Sequence, residues 1–278
     1  MSEYPVNVWP DVYELAMQVF DEAFNPSSVL PTGIDLLDDL LDGGLRGGEL
    51  MIMAARPRVG KSALALQIIT HLLGEGVPVG LWSLEMSNSA WLRRMLANLA
   101  SVNSRSIRTG DISEIEADRI RNTMPTVMKL PLVFAIGDSD PATFSQEATA
   151  MVKERGTRLI VVDYLQLMKS HEGAYNRENE VSTISRTAKL LAIQLDIPVL
   201  MLAQLNRGAE GSEPTFANIR ESGALEQDAD QVVFLHRDYD EDRGCLEDRC
   251  KIRIAKNREG VEGQFSLRFD GRYMRFIP

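Results

Sequence analysis

The sequence predicts an α/β fold with a mostly parallel central sheet, helices on both of its faces, and antiparallel strands at the C-terminal edge. From residue 30 onward, short apolar runs typical of buried strands alternate with longer segments of helical periodicity. Such alternation is typical of parallel sheets that are covered on both faces. After residue 230, short apolar runs follow one another with glycine between them, which favours antiparallel strands.

An amphipathic helix is predicted at residues 11–24, ahead of the sheet. Pro10 precedes apolar residues at near-helical spacing, and Asn25-Pro26 ends the pattern. A single amphipathic helix cannot bury its own apolar face, so this one must pack either on its own domain or on a neighbouring subunit. We therefore expect residues 1–27 to form an N-terminal appendage and residues 28–278 to form the main domain.

The remaining elements follow from the same alternation of apolar runs and helical periods. Strands are predicted at residues 50–54, 78–84, 131–136, 158–163, 197–203, 231–236, 250–256 and 264–269. Helices are predicted at residues 61–74, 88–102, 113–128, 142–155 and 179–195. Long loops are predicted at residues 169–178 and 205–223, and long loops in a compact domain are often functional.

The charge distribution limits the classes of partner. The net charge is −10, which argues against a uniformly basic nucleic-acid coat. The first 45 residues hold nine of the acidic residues and no Lys or Arg, so the remainder is near neutral and can still present a local basic surface.

Composition also bears on the compartment. No apolar run approaches the roughly 20 residues that a membrane-spanning helix needs, and no secretory signal is visible at the N-terminus. Cys245 and Cys250 are too few for a disulfide framework, so a reducing, cytoplasmic location is expected. They could instead form half of a metal site, although no second pair of ligands is evident.

A phosphate-binding loop is the most informative motif. Its residues are Ala55, Arg56, Pro57, Arg58, Val59, Gly60, Lys61 and Ser62. They match the pattern G-x-x-x-x-G-K-[ST] with Ala55 in place of the first glycine, and they lie between an apolar strand and a helix. Backbone N–H groups and the helix N-terminus favour polyphosphate, Lys61 can reach the terminal phosphates, and Ser62 is placed to bind Mg²⁺. A chance match in a turn is the alternative, which the strand–loop–helix context disfavours.

Two carboxylates follow other predicted strands. Asp163 ends the run Leu159–Asp163, and Glu85 follows the strand that reaches Leu84. Ligands of parallel α/β sheets bind at the carboxyl ends of the strands, so Asp163 can complete a Mg²⁺ site with Ser62, and Glu85 can activate a water that attacks the γ-phosphate. The alternatives are that Asp163 caps the next turn and that Glu85 is an ordinary surface residue.

Two further polar features can serve the same site. Gln204 ends an apolar strand, where an amide can sense the γ-phosphate and relay its loss to the loop that follows. Lys256 and Arg258 are two residues apart on a predicted strand and so share one face, where they can clamp a phosphate in the same chain or across a subunit boundary. Gln204 could instead be a hydrogen-bonding strand end, and the two cations could protect an edge strand.

The segment Arg220–Asp230 is predicted to be a loop that feeds a short helix. Ser222, Gly223 and the first helical N–H groups could bind a nucleic-acid backbone phosphate, with Arg220 adding charge. An ordinary capped helix start is the alternative.

Taken in order, these segments resemble the C-terminal ATPase domain of DnaB-type replicative DNA helicases. The resemblance extends over about residues 29–270, and Ala in place of the first glycine of the phosphate loop is the form usual in that family. The segments that carry it are Leu30–Asp38, Ala55–Ser62, Ser83–Met86, Val162–Met168, Ala203–Arg207, Arg220–Gly223, Glu226–Asp230 and Ile254–Lys256.

The resemblance implies a RecA-like fold in a ring, usually of six subunits, with ATP and Mg²⁺ bound between neighbours and single-stranded DNA in the channel. Matching positions imply that Glu85 is the catalytic base and Arg94 a phosphate contact. Asp163 would be the metal partner and Gln204 the γ-phosphate sensor. Lys256 and Arg258 would be offered to the neighbour's ATP, with Arg258 as the arginine finger.

The same resemblance bears on DNA, partners and polarity. Arg220, Glu221 and Gly223 fall in the loop that grips DNA, and residues 11–24 fall where the family has a linker helix that docks on the next subunit. A 5′–3′ helicase is expected, in a bacterial cell or in a host cytoplasm if the gene is phage-encoded, with a primase or helicase loader as possible partners. The family's N-terminal helical domain has no counterpart in the sequence, so either a truncated piece of a longer protein or a naturally short relative is expected.

Three other functions remain as alternatives. A RecA/RadA-like recombinase shares the fold, a KaiC-like regulatory ATPase would hydrolyse ATP without stimulation by DNA, and a scaffold would keep the fold without hydrolysis. The Arg220–Gly223 segment argues against the first, and intact Lys61, Glu85 and Asp163 argue against the last.

Overall fold

A nine-stranded sheet forms the centre of the molecule. A computed structural model describes residues 11–24, 29–135, 140–163, 177–206, 212–219 and 222–278. The strand order is β11-β10-β9-β6-β1-β5-β4-β2-β3, and β7 and β8 form a separate two-stranded hairpin. The strands are β1 Leu50–Ala55, β2 Val79–Ser83, β3 Leu132–Phe134, β4 Leu159–Asp163, β5 Val199–Gln204, β6 Gln231–His236, β7 Tyr239–Asp240, β8 Cys245–Leu246, β9 Arg249–Asn257, β10 Gly263–Asp270 and β11 Arg275–Ile277.

Helices cover both faces of this sheet. Alternate residues of β1 point to opposite faces, so Met51 and Met53 pack with one apolar cluster and Leu50 and Ile52 with the other. The first cluster includes α3 and α4, and the second includes α7 and α8. The helices are α1 Val12–Phe24, α2 Asp35–Leu40, α3 Lys61–Gly74, α4 Asn88–Ala100, α5 Ser104–Thr109, α6 Glu114–Val127, α7 Pro141–Arg155, α8 Arg177–Leu195 and α9 Ser222–Asp228.

The predicted fold class is confirmed, with the antiparallel part beginning one strand later than expected. β1 pairs in parallel with both β5 and β6, although β6 already lies beyond residue 230. β9 is the first antiparallel strand, and it pairs with β6 on one side and β10 on the other. The reason is that α9 separates β5 from β6 and allows the crossover that a parallel pairing requires.

Short elements account for most of the other differences from the predicted pattern. The helices α2 and α5 and the strands β7, β8 and β11 were not predicted, since each has six residues or fewer and shows little periodicity. Helix α4 ends at Ala100 rather than at residue 102 because Ser101 adopts a left-handed conformation with φ 51°.

The two predicted long loops are only partly tested, because residues 169–176, 207–211 and 220–221 lie outside the described residues. Of the rest, residues 177–178 belong to helix α8. Within 205–223, a 3₁₀ turn forms at Phe216–Asn218, and Leu205 forms an isolated bridge with Ile219.

Several apolar side chains of helix α1 are exposed, among them Val12, Val19, Phe20 and Phe24. One of the two predicted alternatives was that this face packs on the chain's own core. Such packing on the described part of the core is not observed. Within the described part of the chain, no helix combines the length and the apolar character that crossing a bilayer requires.

Candidate functional site

The carboxyl ends of neighbouring parallel strands bring the phosphate loop, Glu85, Arg94 and Gln204 together at one cleft of about 510 Å³. Ala55, the last residue of β1, lies in register with Gln204 at the end of β5, and Asp163 at the end of β4 lies in register with Ser83 of β2. The cleft is lined by Ala55, Arg56, Pro57, Arg58, Gly60, Lys61, Ser62, Ala63, Glu85, Met86, Arg94, Gln204, Phe269, Gly271 and Met274. The edge of the sheet chosen from the sequence is therefore the edge at which these residues meet.

The phosphate loop has a backbone that only a few residues tolerate. Arg58 has φ 68°, and Gly60 has φ 122°, a backbone angle that residues with a side chain rarely adopt. A Cβ on Gly60 would also lie 2.8 Å from Cζ of Phe276, so glycine is required here on two grounds. Gly60 is the N-cap of α3 and supplies no side-chain hydrogen bond to its first turn, and a helix N-terminus of this kind favours an anion.

Lys61, Ser62 and Asp163 form a compact polar group at the base of the cleft. The Ser62 hydroxyl donates a hydrogen bond of 3.0 Å to Oδ2 of Asp163, and Nζ of Lys61 lies 3.5 Å from Oδ1. The Asp163 side chain is 0 % exposed and that of Lys61 is 10 % exposed. Burial lowers the pKa of Lys61, and the nearby charges of Asp163 and Glu85 oppose that shift.

The same group fits a Mg²⁺ ion. Oδ1 of Asp163 is buried and accepts no hydrogen bond of normal geometry from a described residue, so it retains capacity for a cation or its bound water. A serine hydroxyl and a carboxylate are oxygen donors of the kind that Mg²⁺ prefers. Elsewhere in the described ranges, no three His, Cys, Asp or Glu side chains form a metal-binding group, which gives the Cys245–Cys250 half-site no further ligands.

Glu85 and Arg94 complete the wall opposite the loop. The backbone N–H groups of Leu84 and Glu85 donate to the carbonyl of Asp163 at 2.7 and 3.3 Å, which ties the end of β2 to the end of β4. The Glu85 side chain remains exposed and faces the cleft. Burial lowers the pKa of the Arg94 guanidinium, and Asp163 and Glu85 oppose that shift by attraction.

Arg237 and Phe269 also belong to this region, although the sequence did not single them out. Nη1 of Arg237 donates to the carbonyls of Arg58 and Val59 at 3.4 and 3.5 Å, and its guanidinium lies 4.9 Å from the centre of the Phe269 ring. A second cavity of about 990 Å³, lined in part by Arg237 and Phe269, opens beside the first. No motif marks these residues because their partners are backbone carbonyls and a ring distant in sequence.

Lys256 and Arg258 lie near the amino-terminal ends of β1 and β6. The phosphate loop lies at the carboxyl ends of the parallel strands, which form the opposite edge of the sheet. Asn257 pairs with Gln231, and Gln231 lies in register with Met51 near the start of β1. Four residue-to-residue steps along β1, at about 3.3 Å each, separate that level from Ala55. The chain's own phosphate loop is therefore out of reach, which removes the interpretation in which the pair clamps a phosphate of its own subunit.

One detail of the predicted basic pair is wrong. Arg258 lies one residue beyond the end of β9, and the register of β9 shifts next to Lys256. The prediction that both residues lie on the strand is therefore wrong for Arg258 alone.

Of the predicted DNA-contacting residues, Gly223 is exposed near the start of α9. Arg220 and Glu221 lie outside the described residues.

Comparison with known proteins gives a consistent result. A family model described as the DnaB-like helicase C-terminal domain matches residues 29–278. The replicative DNA helicase DnaB of Buchnera aphidicola subsp. Acyrthosiphon pisum is 40 % identical over 243 residues, covering 84 % of this chain and 52 % of the relative. The replicative DNA helicase DnaC of Bacillus subtilis is 37 % identical over 262 residues, covering 89 % and 56 %. The chain thus spans about half the length of these relatives.

Solved structures agree with this result. One, described as an ATPase domain, superimposes with a TM-score of 0.88 at 28 % identity, covering 97 % of this chain and 99 % of that one. A DnaB-like replicative helicase, studied with its interactions with primase, superimposes with a TM-score of 0.86 at 29 % identity, covering 96 % of this chain and 68 % of that one.

Proposed function

Since the chain belongs to the DnaB-like helicase C-terminal domain family, we propose that it is the motor of an ATP-dependent DNA helicase. It hydrolyses ATP at subunit interfaces, moves along single-stranded DNA and unwinds duplex DNA in the 5′–3′ direction. One observation carries this proposal: a cleft lined by the phosphate loop, Glu85, Arg94 and Gln204 at one edge of the sheet, with a basic pair at the opposite edge that cannot reach it. These two different surfaces complement each other when subunits associate head to tail in a ring. Recombinase and regulatory-ATPase alternatives have no comparable support.

Within one subunit, the loop Ala55–Ser62 would hold the triphosphate through backbone N–H groups, with the Lys61 ammonium against its terminal phosphates. Ser62 and Asp163 would hold Mg²⁺, which neutralises charge on the phosphate oxygens when bound. Arg94 would contact a phosphate from the opposite wall, and Gln204 would sense the γ-phosphate.

Glu85 would act as the general base for the attacking water. Its carboxylate is exposed at the cleft, and the bonds from its backbone to Asp163 keep its position relative to the metal site. A base placed in this way takes a proton from the water as the water attacks the γ-phosphate.

The neighbouring subunit would supply Lys256 and Arg258. Cations at the transferred phosphoryl group stabilise charge that develops in the transition state, and an arginine supplied from a partner is worth about 10³ to 10⁵ in turnover. Turnover would then depend on assembly, in a ring that the family implies to have six subunits.

The exposed apolar side of α1 supports the same assembly. An amphipathic helix with its apolar face in water must find a partner, and the next subunit would receive it. Arg220, Glu221 and Gly223 would lie in the loop that grips single-stranded DNA in the channel of that ring. A primase or a helicase loader is the class of accessory partner that the family implies.

The decisive experiment measures ATPase rate with and without single-stranded DNA, together with the mass of the assembly in the presence of nucleotide. Stimulation by DNA, a nucleotide-dependent ring and unwinding of a fork with a 5′ tail are expected. A monomer whose turnover ignores DNA would overturn the proposal.

Subunit mixing tests the shared site. Arg258→Ala and Lys61→Ala rings should each be inactive, whereas mixed rings contain some sites with an intact loop and an intact arginine and should recover part of the activity. No recovery at any mixing ratio would contradict a site shared between subunits.

A further inference from the structure

Asp230 is a buried carboxylate that joins the basic pair to the body of the sheet. It ends the segment Glu226–Asp230, which belongs to the family motif but has no part in the nucleotide cleft. Its side chain is 5 % exposed, in contact with an Arg258 side chain that is 49 % exposed. A buried charge of this kind needs partners, so its contacts indicate its role.

One oxygen of Asp230 is anchored by rigid elements. Oδ2 accepts hydrogen bonds of 2.8 Å from the backbone N–H of Leu50 and 2.6 Å from Nζ of Lys189. Leu50 begins the central strand β1, and Lys189 belongs to helix α8, where its ammonium also donates to the carbonyl of Gly48 at 2.8 Å. The position of the carboxylate is therefore set by the sheet and by a long helix.

The other oxygen is bonded to Arg258. Nη1 of Arg258 donates to Oδ1 at 3.1 Å, and the backbone N–H of Arg258 donates to the carbonyl of Asp230 at 3.0 Å. Both the backbone and the side chain of Arg258 are thus held by one residue, at the point where β9 has ended and no longer determines their direction.

The same segment also contacts Lys256. Nζ of Lys256 donates to the carbonyls of Glu226 and Ala229 at the end of α9, at 2.5 and 2.6 Å. Burial lowers the pKa of Lys256, and the adjacent Arg258 charge lowers it further. The segment Glu226–Asp230 therefore collects both cations that the proposed function assigns to the neighbour's ATP.

We propose that Asp230 is a positioning residue, which holds the Arg258 guanidinium at the subunit edge so that it meets the ATP of the adjacent subunit. This inference rests on the proposed function, because it requires Arg258 to act across the interface. The Asp230 carboxylate orients the arginine before assembly, which reduces the reorganisation needed in the transition state. It touches neither substrate nor the reacting atoms.

The first test is a double-mutant cycle on DNA-stimulated ATPase. Asp230→Asn should lower kcat by about 10- to 100-fold while leaving nucleotide binding by its own loop unchanged, because a small misplacement of a catalytic group has effects of that size. Arg258→Ala and the double variant should have the same kcat, since Asp230 acts only through Arg258. A further loss in the double variant would overturn the proposal.

Asp228→Asn is the matched control. Asp228 lies two residues away on the same segment and accepts a hydrogen bond from the Ser185 hydroxyl at 2.5 Å, while Nη1 of Arg186 lies 3.6 Å from its other oxygen. Asp228→Asn leaves the Asp230–Arg258 bond in place and removes only a weak attraction for the Lys256 ammonium, so it should lower kcat far less than Asp230→Asn does. An equal loss in both variants would overturn the specific role of Asp230.

Mixed rings give a readout that a merely structural residue would not produce. Asp230→Asn subunits mixed with Lys61→Ala subunits should recover activity, because the latter carry an intact Asp230–Arg258 pair. Asp230→Asn mixed with Arg258→Ala should recover none. Recovery in both mixtures, or in neither, would overturn the proposal.

A second variant distinguishes loss of the positioning role from general loss of the fold. Asp230→Glu keeps the charge that Lys189 requires but moves the carboxylate by one methylene, so kcat should fall while the ring persists by light scattering. Wild-type kcat in Asp230→Glu, or loss of the folded ring in both variants, would overturn the positioning role.

Failure of this inference is distinguishable from failure of the proposed function. If Arg258→Ala keeps wild-type turnover, the shared site itself is wrong. If Arg258→Ala is inactive but Asp230→Asn is not, only the positioning role is wrong.

Discussion

Nζ of Lys61 and Oδ1 of Asp163 lie 3.5 Å apart at the base of the cleft, where both side chains are largely withdrawn from solvent. Lys61 begins helix α3 and Asp163 ends strand β4, so this ion pair, together with the Ser62–Asp163 hydrogen bond, joins two elements about a hundred residues apart in sequence. The pair sets the charge balance of the site, because burial alone disfavours the ammonium.

Asp163→Asn should therefore lower DNA-stimulated ATPase by about 100-fold or more, since it removes the charge that would hold Mg²⁺ and face Lys61. Steady-state ATPase measured against Mg²⁺ concentration should also show a higher requirement for the ion. Asp118→Asn, on the exposed surface of α6, is the control and should behave as wild type. Unchanged Mg²⁺ dependence in Asp163→Asn would contradict the metal assignment.

Glu85→Gln should lower kcat by about 10²- to 10⁴-fold because the amide cannot accept the proton of the attacking water. Nucleotide affinity should stay close to the wild-type value, since the amide keeps the shape and the exposed position of the side chain. Single-turnover hydrolysis and fluorescent-nucleotide binding separate the two effects. Glu75→Gln, an exposed residue at the end of α3, is the control, and wild-type hydrolysis by Glu85→Gln would assign the base elsewhere.

Gly60→Ala should abolish nucleotide binding and lower the free energy of unfolding by about 1 to 3 kcal/mol, the usual range for a residue forced into a disfavoured backbone region. The new Cβ would meet both the φ of 122° and the ring of Phe276 at 2.8 Å. Urea unfolding and nucleotide titration measure the two effects.

Gly74→Ala on the same helix is the matched control. A Cβ there meets nothing within 4 Å, so alanine should stabilise the fold by about 0.4 to 1 kcal/mol. Equal behaviour of the two variants would show that the loop geometry does not require glycine.

Phe20→Glu should lower the fraction of assembled ring at a given concentration without changing the fold of the monomer. The Phe20 side chain is 59 % exposed in the isolated chain, so its replacement removes apolar surface only from an interface. Sedimentation velocity with nucleotide measures assembly, and circular dichroism measures the fold. Ile193→Glu, at a comparably exposed apolar position on α8, is the control, and normal assembly by Phe20→Glu would argue against docking of α1 on the next subunit.

The two cysteines should differ in reactivity. Burial raises the pKa of the Cys250 thiol to about 12, whereas Cys245 is exposed. A thiol reagent at pH 8 should therefore label one thiol per native chain and two after denaturation, because the thiolate is the reactive form. Rapid labelling of both in the native protein would show that Cys250 is not protected.

The raised pKa also gives stability a pH dependence. An unfolded chain ionises Cys250 near its ordinary pKa of 9.0 while the folded chain keeps the thiol neutral to about 12. This group's contribution is therefore complete below pH 9 and is lost as pH rises toward 12.

Most of the strand and helix pattern followed from local sequence. The predicted strand at 50–54 is β1, and the predicted helix at 61–74 is α3, because strong periodicity and a glycine-containing loop leave few alternatives. The grouping of Lys61, Ser62, Glu85 and Gln204 at one edge was predicted as well, because parallel strands must end together. Their chemical roles stay predictions.

Other features depended on contacts that no local pattern encodes. Arg237 supports the phosphate loop by donating to the carbonyls of Arg58 and Val59, nearly 180 residues away in sequence. Asp230 was visible only as part of a family motif, because its partners Leu50 and Lys189 come from distant strands and helices.

By itself, the sequence predicted a polyphosphate ligand and identified the edge of the sheet where the phosphate loop, Glu85 and Gln204 meet, because a phosphate loop and polar strand ends are local signals. Only the tertiary structure decided that Lys256 and Arg258 lie at the opposite edge, since that depends on the antiparallel direction and register of β9. Direction and register arise from packing across the whole sheet, and packing is a property of residues that are distant along the chain.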